Sequence, residues 1–147
     1  MSVVPGDGPY VSAQTFLAFD YGVKRTGVAT GNTVTRTAQP LTTIHAEGDA
    51  RFPAIDRLIR EWAPQALVVG VPFHPDGTEH MNTRRARRFV RQLQGRFGLP
   101  VHEVDERYST VEVLAYGARD ADAAAAALLL EQYFSAECLA ATVASPS

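Results

Sequence analysis

Apolar stretches of strand length alternate along the chain with segments where apolar residues recur every three or four positions. The first stretch, Phe16-Leu17-Ala18-Phe19, ends on Asp20 and reaches a glycine at Gly22; it predicts a buried strand over 16–20 that stops at a turn. Val28-Ala29 marks a hairpin partner over 27–30, and the Thr-rich segment 41–45 predicts a third strand. Ile55, Leu58, Ile59 and Trp62 keep helical spacing until Pro64. Ala66 to Val71 is a continuous apolar run between breakers, the mark of a strand covered on both faces. A helix follows over 83–97, closed by Gly98 and Pro100, and a strand over 101–105. Two helices finish the pattern, one from near Ser109 and one over 121–138. This order predicts an α/β domain with a mixed central sheet of five strands flanked by helices.

Residues 1–14 read as a flexible arm, 15–138 as the folded domain and 139–147 as a flexible Ala/Ser/Pro tail. The arm has neither the basic start nor the apolar stretch of a signal peptide. A length of 147 residues fits one domain with a real core. The net charge of −2 argues against a bulk polycation, so any grip on a polyanion must come from a local patch. Cys138 is the single cysteine, which excludes an internal disulfide and a cysteine-rich zinc site and suits a reducing cytosol. No apolar run approaches the roughly 20 residues that cross a bilayer. The expected setting is cytoplasmic, with no membrane partner.

Chemistry concentrates at strand ends. Asp20 ends the first strand, Asp105-Glu106-Arg107 ends the last, and Asp122 opens an Ala-rich helix. In open α/β sheets, sites gather where the carboxyl ends of strands meet the loops. Each acid has a plain reading: a turn cap for Asp20, a surface ion pair for Asp105 or Glu106, and a helix-start carboxylate for Asp122. Together they form the oxygen-rich set that two hard cations, Mg²⁺ or Mn²⁺, require to act on a phosphodiester. Histidines 74 and 80 flank a loop between them, but such a cation prefers oxygen.

The basic residues are unevenly placed. Arg84, Arg85, Arg87, Arg88, Arg91 and Arg96 crowd one helix, and no acid falls between His80 and His102. On a helical wheel Ala86, Phe89, Val90, Leu93 and Phe97 share the core face, while Arg84, Arg87, Arg88 and Arg91 lie opposite. Solvation alone could explain exposed arginines. A stripe unrelieved by carboxylates also suits a phosphate backbone.

Four motifs in order carry a resemblance to a known family. They are Asp20 to Ala29 (Asp-Tyr-Gly-Val-Lys-Arg-Thr-Gly-Val-Ala), Val69-Gly70-Val71-Pro72 with Asp76-Gly77-Thr78-Glu79, Asp105 to Thr110 (Asp-Glu-Arg-Tyr-Ser-Thr), and Asp122, Ala125, Ala126 and Leu130. Over residues 16–134 the chain resembles the YqgF/RuvX family of pre-16S rRNA nuclease and Holliday-junction-resolvase-like proteins. The resemblance implies an RNase H-like fold and a divalent-metal-dependent nuclease. It makes Asp20, Asp105, Glu106 and Asp122 the candidate catalytic and metal-holding residues, with either Asp105 or Glu106 supplying the last strand's ligand. Lys24, Arg25, Arg107 and Thr110 would serve the substrate beside the arginine helix. The expected partner is nucleic acid: an rRNA precursor, branched DNA, or RNA within ribosomal particles. The protein would act as a monomer or homodimer. A rival reading keeps the fold as a non-catalytic rRNA-binding assembly factor. An actin-like ATPase would need a second domain to close around the nucleotide.

Overall fold

The computed structural model describes residues 14–72, 78–79, 81–105 and 121–144, with side chains as far as 136. Five strands form one mixed sheet: β1 (Thr15–Tyr21), β2 (Thr26–Asn32), β3 (Ala38–Ile44), β4 (Ala66–Val71) and β5 (Val101–Asp105). Their spatial order is β3-β2-β1-β4-β5. The meander β1-β2-β3 is antiparallel, while β4 and β5 join β1 in parallel. Helices α1 (Phe52–Trp62) and α2 (Met81–Phe97) cover one face, and α3 (Ala121–Ala144) covers the other.

Period-two alternation builds both cores from the same strands. Leu17, Phe19, Leu67 and Val69 point to α1 and α2, where they meet Phe52, Ile55, Phe89 and Leu93. Phe16, Ala18, Ala66, Val68 and Val104 point to α3 and pack on Leu129, Leu130 and Phe134. β4 is buried along its whole length, as its unbroken apolar run predicts.

Strand boundaries differ modestly from the prediction. β3 begins at Ala38 rather than 41 and includes Pro40. That is tolerable because β3 is an edge strand and the ladder shifts register at Val28/Ala29. α3 runs to Ala144 instead of ending at 138, so most of the expected tail is helical. High alanine propensity carries it onward until Pro146 approaches. The predicted helix from Ser109 lies outside the described residues.

Candidate nuclease centre

Asp20 sits one residue before the end of β1. In register it lies opposite Gly27 of β2 and Gly70 of β4, so the acid stands between two residues without side chains. Sharing parity with Phe16 and Ala18, Asp20 belongs to the α3 face. The approach of α3 to this row is set by small residues. Ala29 packs on Ala126 and Ala127, and Gly31 lies under Leu130 and Phe134. A Cβ added at Gly27 would lie 2.8 Å from the Ala123 nitrogen and closer still to the Asp122 carbonyl. The poly-Ala run is thus a close-packing device. It brings the first turn of α3, with Asp122, onto the strand residue paired with Asp20.

Asp122 receives a hydrogen bond from Arg25 Nε at 2.9 Å, and both side chains are partly open to solvent. Arg25 and Lys24 lie in the exposed loop between β1 and β2. This loop is tight: a Cβ at Gly22 would fall 2.6 Å from the Arg25 carbonyl. Asp105 ends β5, and its backbone carbonyl accepts from Gln132 of α3 at 3.3 Å. Val104 faces α3, whereas Val101 packs on the other core and Glu103 meets Arg87 of α2. Alternation therefore assigns Asp105 to the α2 side, away from the face carrying Asp20 and Asp122. Among the described residues, no three acidic, histidine or cysteine side chains gather closely enough to hold a metal ion. Glu106, Arg107 and Thr110 lie outside them, as do His74 and His80.

The arginine stripe divides into two kinds. Arg87 is tied to Glu79 at 2.6 Å and to Glu103 at 3.4 Å. Arg84, Arg88 and Arg91 are exposed and have no carboxylate partner among the described residues. Arg96, outside the proposed contact set, pairs with Asp49 and lies 4.0 Å over the Phe52 ring.

A residue absent from the sequence reading also bears on the site. Arg51 is 2% exposed, at the end of a short 3₁₀ turn, and hydrogen-bonds the loop that follows Asp20. Its sequence context, beside Asp49 and ahead of Phe52-Pro53, resembles any polar helix start. No local signal marks it.

Strand order and a core on both faces of one mixed sheet define an α/β fold of RNase H type. Known proteins agree. The RuvC structure of Thermus thermophilus superposes with TM-score 0.53 at 17% identity, covering 84% of this chain and 96% of that one. Thermus thermophilus RuvC in complex with Holliday junction substrate superposes with TM-score 0.52 at 16% identity, covering 85% and 96%. In sequence, a protein of Polaromonas sp. (strain JS666) named "Putative pre-16S rRNA nuclease" is 67% identical over 127 residues, spanning 85% of this chain and 92% of its own. One of the same name from Albidiferax ferrireducens is 67% identical over 132 residues, 88% and 85% of the two chains. The family model described as RuvX: Holliday junction resolvase matches residues 14–136. The chain belongs to the RuvX family and is an enzyme of nuclease type.

Proposed function

We propose that this chain is a divalent-metal-dependent nuclease that cleaves phosphodiester bonds of structured nucleic acid, with the 5′ end of precursor 16S rRNA as its substrate. The carrying observation is the row Gly27–Asp20–Gly70 with the start of α3 laid on Gly27, which brings two acids distant in sequence to one end of one sheet face. The relatives' names supply the substrate class. The setting that follows is the cytoplasm, where precursor rRNA and assembling ribosomal particles are found, and no helix among the described residues is long and apolar enough to cross a membrane.

The donor set fits a hard cation in type, because Asp20 and Asp122 offer only oxygen and Asp20 is partly open to solvent. We take the third ligand from Asp105 or Glu106, as the family resemblance implies; Asp105 ends β5 with the parity of the α2 face. A bound Mg²⁺ or Mn²⁺ would lower the pKa of a water and neutralise charge on the phosphate oxygens. The chain's own residues then have distinct tasks. Asp20 and Asp122 supply negative charge at the sheet end. Arg25 holds Asp122 in orientation, and Lys24 stands beside it in the exposed loop to meet a phosphate oxygen. Arg84, Arg88 and Arg91 engage the backbone of the polyanion, a task the family resemblance extends to Arg107 and Thr110.

The test compares wild type and Asp20→Asn on precursor 16S RNA, single-stranded RNA and four-way DNA junctions, each with Mg²⁺ and with Mn²⁺. The expected outcome is metal-dependent cutting of the precursor by wild type and loss of at least about 10³-fold in the variant, with an unchanged melting temperature. Undiminished cutting by Asp20→Asn would refute the assignment. Faster cutting of the junction than of the RNA would move the substrate to branched DNA.

A further inference from the structure

Arg51 is among the largest fully buried side chains of the described residues, and each hydrogen bond it makes to them runs to a neutral oxygen. Its Nε donates to the Gly48 carbonyl at 3.0 Å. One terminal nitrogen donates to the Gly22 carbonyl at 3.0 Å and to the Thr26 hydroxyl at 2.8 Å. The other donates to the Val23 carbonyl at 2.8 Å. The guanidinium lies 4.7 Å over the Tyr21 ring and 5.6 Å from the Phe89 ring. No carboxylate pairs with it among the described residues.

A guanidinium carries a full positive charge, and here that charge is buried. Burial of a charge is costly, and an apolar side chain of similar volume would fill the space more cheaply. The arrangement is explicable if the planar fork of donors is needed for geometry. Among the described residues, three of its four hydrogen-bond acceptors lie in one segment, Gly22, Val23 and Thr26, which spans the turn between β1 and β2. Asp20 enters that turn, and Lys24 and Arg25 occupy its outer side. Turning the carbonyls of Gly22 and Val23 inward to Arg51 leaves Lys24 and Arg25 directed to solvent. There Arg25 reaches Asp122.

We propose that Arg51 is a positioning residue of the nuclease site: it fixes the 22–26 segment so that Asp20, Lys24 and the Arg25–Asp122 pair stand in one arrangement toward a phosphate. This rests on the nuclease reading above. Arg51 touches no reacting atom and acts through the loop carbonyls. Lysine cannot replace it, because an ammonium lacks the flat fork that spans Gly22, Val23 and Gly48 together.

The full-length chain carrying Arg51→Met, Arg51→Lys or Thr26→Val tests this by two readouts. The first is amide hydrogen exchange. In Arg51→Met, exchange in the β1–β2 ladder beside the turn, at Tyr21, Thr26 and Gly27, should rise at least about tenfold, while β4 and the core-facing turns of α2 keep their protection. The second is steady-state cleavage of precursor 16S RNA. There kcat should fall about 100-fold with KM within about threefold of wild type, the signature of a displaced catalytic group. Arg51→Lys should restore the melting temperature more fully than it restores kcat. Should Arg51→Met fail to fold, Arg51→Lys and Thr26→Val decide, the latter expected to give a smaller change of the same sign. A folded Arg51→Met with native exchange beside the turn and kcat within twofold of wild type overturns the proposal. Wild type that cuts none of the substrates defeats the nuclease reading instead, and the exchange measurement still judges Arg51 as the anchor of the loop.

Discussion

Gly27→Ala is a one-carbon change that probes how the site is assembled. Ordinary contact at a Cβ begins near 3.4 Å, yet a Cβ at 27 would meet the Ala123 nitrogen at 2.8 Å and the Asp122 carbonyl at less. Both obstacles are backbone, so no side chain can swing aside. Clearing the Ala123 nitrogen alone takes about 0.6 Å and the nearer Asp122 carbonyl takes more, so the first turn of α3 must withdraw by about 1 Å or β2 must bend, in an interior packed like a crystal. Overpacking of this kind costs about 1–3 kcal/mol. For a chain of this size that lowers the melting temperature by about 3–10 °C. The effect on activity should be larger than the effect on stability, because the turn that moves carries Asp122. A displacement approaching 1 Å reduces turnover by about 10²-fold. Gly95→Ala supplies the control: that glycine is inside α2 with nothing within 4 Å of a new Cβ, so alanine should stabilise by about 1 kcal/mol through helix propensity. Differential scanning calorimetry and single-turnover cleavage read both variants. A Gly27→Ala protein with the melting temperature and turnover of wild type would show that α3 does not set the spacing of the two acids.

The arginine helix should respond unevenly to alanine. Arg84→Ala, Arg88→Ala and Arg91→Ala should each weaken RNA binding and lower the slope of log affinity against log salt by about 1, measured by fluorescence anisotropy, whereas Arg87→Ala should change the slope little because Glu79 and Glu103 already neutralise that charge. Equal slopes for all four would contradict the pairing. Arg25→Ala should leave thermal stability within about 1 kcal/mol, since an exposed ion pair contributes little, yet reduce cleavage measurably because Asp122 loses its orienting donor; a large stability loss with normal cleavage would reverse that assignment.

The sequence was informative where a side chain's own polarity reports its environment. The run Ala66 to Val71 and the periodic Phe89, Val90 and Leu93 are apolar because they are buried, and both elements appear where their patterns predict. Asp20 could be singled out because an acid at the end of an apolar strand is costly unless it serves something. Register relations were not readable in the same way. Nothing local to Gly27 or Gly70 says that each lies beside Asp20, or that one of them carries a helix on its bare face. The side of the sheet on which Asp105 stands is likewise a matter of parity, readable only once Val104 is seen against α3 and Glu103 against α2. Arg51 was invisible for a third reason. Its partners are main-chain oxygens, which any sequence possesses.

The two chemical halves of the site lie on different faces of one sheet. Asp20 and Asp122 belong to the α3 side, while Arg84, Arg88 and Arg91 lie on α2, on the other side. On the proposed assignment, a phosphodiester strand held by the arginines would reach the acids by passing over the carboxyl end of β1 and β4. The loop at that crossing is the one bearing Lys24 and Arg25, so its position decides whether binding on one face delivers a phosphate to the other. A buried guanidinium is an expensive way to fill space but an effective way to hold a short loop, because it satisfies carbonyls that would otherwise turn to water and let the loop wander. On the proposed path, the placement of Arg51 under that crossing, rather than beside the acids, has a physical rationale: the part that would most need rigidity is the bridge between the basic and acidic faces.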